Sequence, residues 1–95
     1  MQTELELSAK EARVLRLLSR PNRVAVLVRS PDKIEAALCD GRFVRVEGEA
    51  PLSVIALRAC ETKGLVTPIM VDRDGPGEQT FYEITDAGRR TRPRR

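Results

Sequence analysis

The sequence predicts an α+β domain in which three helices are closed by a C-terminal β-hairpin. Three observations carry that prediction. Apolar residues recur at helical spacing in three segments, each opened by a helix-starting signature: Ser8-Ala9-Lys10-Glu11, Ser30-Pro31-Asp32 and Pro51. Two β-rich runs, residues 65–71 and 80–84, flank a loop containing Gly75-Pro76-Gly77 and read as a hairpin. The chain has 95 residues, 41% hydrophobic and 33% charged, which suits one small folded core and leaves no room for a second.

Residues 1–7 alternate polar and apolar side chains, as a frayed start or a short edge strand would. Ser8 and Glu11 form a capping box, the hydroxyl accepting from the Glu11 amide while the carboxylate reaches back. The helix that follows sets Ala12, Leu15 and Leu18 on one stripe, with Val14 and Leu17 beside it, and Pro21-Asn22 stops it. Residues 24–28, Val-Ala-Val-Leu-Val, are β-branched and short, hence a strand. Ser30 as N-cap, Pro31 at the first helical position and Asp32 at the positive dipole end predict a second helix, with Ile34, Ala37 and Leu38 on its apolar face and its end near Asp40 and Gly41. Residues 42–47 alternate as an extra strand, and Gly48-Glu49-Ala50 turns. Pro51 opens the third helix, which runs to about Lys63 and closes on Gly64 in the left-handed cap position. The strand at 65–71 holds Pro68, which favours a sheet edge. The strand at 80–84 returns, and Thr85 caps a further helical turn. Residues 1–88 therefore form the domain, and residues 89–95 are an arginine-rich tail expected to be flexible.

Composition excludes several classes of function. No histidine is present, so neither a Ser-His-Asp triad nor a His-ligated metal site can form within the chain. Cys39 and Cys60 lack metal-ligand spacing and read as reduced, buried small apolar side chains. The longest apolar run is five residues, far short of a membrane span, and a cytoplasmic, nucleoid-associated location is expected. Phe43, Phe81 and Tyr82 are the only aromatic residues, which disfavours stacking of single-stranded bases. Gly75-Pro76-Gly77 lacks the lysine and helix of a phosphate loop, and Asp72, Asp74 and Glu78 lack the spacing of a calcium loop. No enzyme activity, cofactor or metal is expected.

The formal charge of +3 is unevenly distributed. Residues 1–30 carry six basic and three acidic side chains, residues 31–88 six basic and eleven acidic, and residues 89–95 five arginines and no acid. An acidic body with basic ends is not a uniformly basic nucleic-acid coat. Arg13, Arg16, Arg20 and Arg23 form a second basic group, read either as a solvated helix face or as a brace for a duplex backbone.

Two motifs resemble the back half of a winged helix-turn-helix domain. Ala59-Cys60-Glu61-Thr62-Lys63-Gly64-Leu65-Val66 is similar to the L-E-x-K-G-L-V end of that family's recognition helix. Tyr82-Glu83-Ile84-Thr85-Asp86-Ala87-Gly88-Arg89 is similar to the Y-x-L-T-x-x-G-R that closes the wing in regulators of the MarR and PadR type. The resemblance covers about 40 residues by motif and the rest as architecture, with residues 41–50 in place of the family's short turn. It implies double-stranded DNA as partner and transcriptional regulation as role. The groove-facing positions then fall on Val54, Ile55, Ala56, Arg58 and Ala59, so that Arg58, with Ser53 as helper, supplies the base contacts. Arg73 on the wing and Arg89, Arg90, Arg92, Arg94 and Arg95 in the tail supply phosphate contacts. Helix three is apolar on nearly every side, which leaves an alternative open: a protein-interaction module that docks a partner or a second copy through Val54, Ile55 and Ala59.

Overall fold

Ser8 opens the first helix by the reciprocal bonds expected of a capping box: Glu11 N–H donates to Ser8 Oγ and Ser8 N–H to Glu11 Oε1, both at 3.1 Å. The computed structural model describes residues 4–75 and 77–93. In chain order the elements are β1 (Glu4–Leu5), α1 (Ala9–Leu18), β2 (Arg23–Arg29), β3 (Ile34–Asp40), α2 (Val54–Thr62), β4 (Val66–Asp72), β5 (Glu78–Ile84), α3 (Asp86–Arg90) and β6 (Arg92–Pro93). Over the described residues the chain is thus α+β, with three helices and a four-stranded antiparallel sheet of order β3-β2-β5-β4. A short parallel pair, β1 with β6, joins the two ends of the described chain.

The helix predicted at residues 30–40 is instead a turn followed by strand β3, and the third helix is α3, where a further helical turn capped by Thr85 is expected. Ser30 N–H donates to the Lys33 carbonyl at 3.0 Å, and Ser30 Oγ bonds both Asp32 Oδ1 and the Lys33 carbonyl. Serine at the first turn position and proline at the second are as well suited to a β-turn as to a helix start. Every residue of β3 then pairs with β2, from Arg29↔Ile34 to Arg23↔Asp40. Ala36 and Leu38 face the helices, while Ala37 and Cys39 face the other way.

Residues 42–47 do not form the predicted strand. Asp40 Oδ1 accepts the amides of Arg42 at 2.8 Å and Val44 at 3.2 Å, and Phe43 turns through φ 64°. The chain then runs along the β3 edge, touching it through Val46 N–H to the Leu38 carbonyl and Leu52 N–H to the Ala36 carbonyl, each 3.0 Å. Helix α2 starts later than Pro51 suggests, because Ser53 is the N-cap and its Oγ accepts Ala56 N–H at 3.1 Å. It ends as predicted, with Lys63 as cap and Gly64 at φ 75°.

Helices α1 and α2 cover one face of the sheet, burying Leu18, Leu57, Leu65, Val14 and Val66 to below 2% exposure. On the other face Val24, Val26, Cys39 and Phe81 form a second cluster, roofed by the Phe43 ring at 4.6 Å from that of Phe81. Strand β4 lies at an edge, as Pro68 suggests, and is interrupted between Pro68 and Met70. Helix α3 seats on the base of the β4–β5 hairpin, where a Cβ on Gly88 would collide with the Leu65 carbonyl oxygen.

Candidate nucleic-acid interface

The two motifs that resemble the winged helix meet in space. Thr85 Oγ1 donates to the Gly64 carbonyl at 2.8 Å and Thr85 N–H to the Leu65 carbonyl at 3.0 Å, while Ile84 is buried beside Leu65. Helix α2, the left-handed exit at Gly64 and the β4–β5 hairpin therefore form one unit. Thr85 also caps α3 by accepting Gly88 N–H at 3.0 Å.

Helix α2 buries Ala56, Leu57 and Cys60, which sets Ile55, Arg58 and Thr62 outward. Ile55 is 82% exposed. Of the expected groove-facing positions, Ala56 is thus in the core, Val54 and Ala59 are half-buried flanks, and Ile55 and Arg58 face solvent. The Arg58 guanidinium makes no hydrogen bond or ion pair among the described residues, and its carbonyl accepts Thr62 Oγ1 at 3.0 Å. The Ser53 hydroxyl is committed to the cap of α2.

Arg73 sits in the hairpin loop with its Nε 3.2 Å from Glu78 Oε2. Asp72 Oδ1 accepts Asp74 N–H, so acidic groups flank the arginine on both sides. Because Arg29 pairs with Glu78 in register, this loop and the β2–β3 turn share one end of the sheet. Asp32, Asp72, Asp74 and Glu78 collect there.

The opposite end is basic. Arg89 and Arg90 belong to the last turn of α3, and Arg89 Nη1 donates to the Ser19 carbonyl at the end of α1, 3.2 Å away. There a cation meets the negative end of a helix dipole. Arg92 pairs through β6 with Glu4, whereas Arg94 and Arg95 lie outside the described residues. Arg20, Asn22, Arg23, Glu83 and Arg89 line one recess of about 280 Å³, and Asn22, Arg23, Asp40, Gly41 and Arg42 line the next. Sequence reasoning separates these arginines, because the convergence of Arg23 and Arg42 follows only once β2 and β3 are paired. Arg13 has a structural task as well: it donates to the carbonyls of Ala50 and Pro51 and approaches the Glu49 carboxylate, fixing the segment that leads into α2, while Arg20 reaches the same carboxylate from an exposed position.

Burial pushes the Cys60 thiol up to about 11 and the Cys39 thiol upward as well, so neither is a nucleophile near neutral pH. Burial, then the Glu61 carboxylate that accepts its hydroxyl at 3.3 Å, raises Tyr82. Backbone amides of Arg42 and Val44 hold the Asp40 carboxyl below its ordinary value. Among the described residues no group of three or more potential ligands is placed to hold a metal ion, and no helix is long and apolar enough to cross a membrane. Comparison of the chain with family models, curated proteins and solved structures gave no match.

Proposed function

We propose that this chain is a double-stranded DNA-binding module that acts in transcriptional regulation and uses α2 and the β4–β5 hairpin as a winged helix uses its recognition helix and wing. The observation that carries the reading is the outward face of α2, where Arg58 is unpaired among the described residues beside Thr62. A guanidinium free to present two parallel donors suits the O6 and N7 edge of guanine. Phosphate contacts then fall to Arg73, whose pair with Glu78 is exposed and of little strength, and to Arg89, Arg90, Arg92, Arg94 and Arg95. A cytoplasmic, nucleoid-associated location goes with this role.

The test is a salt titration of duplex binding by fluorescence anisotropy. Binding should weaken with salt by about 0.9 logarithmic units per decade for each phosphate neutralised. Arg58→Ala should abolish preference among duplex sequences while leaving the salt slope lowered by at most about one such unit. No binding at low salt would refute the proposal.

One observation favours a second reading, a protein-interaction module. Ile55 is 82% exposed in the first turn of the same helix, flanked by Val54 and Ala59, and a large apolar side chain in that position suits a protein partner or second copy. Under that reading Ile55→Asp abolishes self-association or partner capture, measured by sedimentation, and duplex binding is absent.

A further inference from the structure

We propose that the basic end of the sheet is a phosphate-binding site centred on Arg23, with Arg20, Arg42 and Arg89 around it. This surface is separate from the outward face of α2, and the inference stands whether or not α2 reads bases.

Three features point to an anion there. The first is convergence. Arg20 comes from the end of α1, Arg23 from the start of β2, Arg42 from the turn after β3 and Arg89 from α3. All four line two adjoining recesses that share Asn22, Arg23 and Gly41. The second is an unsatisfied donor. Arg23 Nη1 donates to the Asn22 carbonyl at 3.0 Å, which fixes one edge of the guanidinium, yet its Nε is buried and finds no hydrogen-bond partner among the described residues. A charged donor without an acceptor is costly; the atom is closed to solvent as it stands, and turning the guanidinium outward into the recess would let an oxyanion satisfy the Nε edge with two parallel bonds. The third is the charge balance. The two recesses hold four arginines against two carboxylates, Asp40 and Glu83. Asp40 accepts the amides of Arg42 and Val44, Arg42 Nη2 lies 3.7 Å from its second oxygen and its charge also acts on Arg23, so the balance left in the two recesses is an excess of two positive charges. Arg20 is shared with Glu49 at 3.4 Å, an exposed pair of little strength that leaves it able to turn to a stronger anion.

The chemistry recognised is a phosphoryl oxyanion, which the backbone of a nucleic acid or a free phosphate can supply. Both sources are tested by adding first inorganic phosphate and then a short DNA duplex to the full chain at low salt, followed by amide chemical shifts. Saturable shifts at Asn22, Arg23, Gly41, Arg42 and Arg89 are expected. Arg23→Gln and Arg89→Gln should each weaken binding about tenfold, the loss of one charge-assisted contact. Should Arg23→Gln fail to fold, Arg42→Gln joins Arg89→Gln as the second variant. Duplex that saturates these shifts at far lower concentration than inorganic phosphate assigns the site to a nucleic-acid backbone. Phosphate binding that duplex does not displace assigns it to a free phosphate. Shifts confined to α2 and the hairpin loop would overturn this site while leaving the DNA reading intact. Non-saturating shifts spread over every arginine, or unchanged affinity in both variants, would overturn it too.

Discussion

Replacing Lys63 by methionine should destabilise the fold in a pH-dependent way. Lys63 Nζ lies 2.6 Å from Glu11 Oε2 and also donates to the Glu6 carbonyl at 3.1 Å, so it ties the end of α2 to the start of α1. Burial opposes ionisation of Glu11, but the Lys63 ammonium and the amide and hydroxyl of Ser8 outweigh it and hold the carboxyl below its ordinary value of 4.5. The methionine keeps most of the side-chain volume and removes the charge. Glu11 is 8% exposed, and the lost bond is to a charged group, which sets a scale of about 1.5–3 kcal/mol. The Lys63 side chain is 33% exposed, so water competes for the ammonium and discounts that figure to about 1–2 kcal/mol. For a domain of this size that is about 5–10 °C in Tm. The sign follows from the lowered carboxyl. Its stabilisation is fully present above the unfolded value and is lost as pH falls through the folded one, and only the ionised form feels Lys63. Thermal unfolding of both proteins by circular dichroism, from neutral pH downwards, should show a Tm gap that narrows below pH 4.5. A gap of constant size would refute the argument and assign the loss to the Glu6 contact and to packing.

Gly88→Ala places a methyl group against the Leu65 carbonyl and Ile84, so it should cost about 1–3 kcal/mol in chemical denaturation and free α3 from the hairpin base. Cys39 and Cys60 should react with a thiol reagent at mildly alkaline pH only as fast as the protein unfolds; rapid labelling of the native chain would contradict their burial. Ile55→Asp should change stability by less than about 0.5 kcal/mol, because the side chain stands in water, and a larger loss would mean that Ile55 packs in a dimer. Arg58→Ala should lower discrimination between duplexes by about 1–3 kcal/mol without changing Tm.

The elements legible in the sequence are those where independent signals agree. Helix α1 has both a capping box and a single apolar stripe, and β4, β5 and the Thr85 cap are bounded by Gly64 and a turn-rich loop. Strand β3 is illegible for a definite reason. Its middle is covered on both faces, with Ala36 and Leu38 toward the helices and Cys39 and the half-buried Ala37 toward Phe81, and a segment covered on both faces loses its alternation. Seven residues are too few for periodicity to separate strand from helix, and Ser30-Pro31-Asp32 serves a turn and a helix start equally. At residues 42–47 the alternation is genuine, but the Asp40 carboxylate captures two backbone amides and bends the chain before a ladder can form. The outward position of Arg58 follows from helical spacing and is legible, whereas the grouping of Arg20, Arg23, Arg42 and Arg89 depends on the β2–β3 pairing and is not.

That pairing also decides how the charge acts. Read along the chain, the basic residues belong to the two ends and the middle is acidic. Folded, the division becomes one between the two ends of the sheet, because the hairpin tips carry Asp32, Asp72, Asp74 and Glu78 to one and α1, β2 and α3 carry arginines to the other. A phosphate backbone is attracted to the second end, whereas at the first Arg29, Lys33 and Arg73 offset most of the four acids. Arg58 lies on α2 with Glu61 half-buried on the same helix, so its own field is too small to draw in a duplex against the acidic hairpin loop. Any base contact made by α2 therefore depends on attraction supplied elsewhere in the chain. Among the described residues, Arg20, Arg23, Arg42 and Arg89 form the group with enough concentrated charge to provide it.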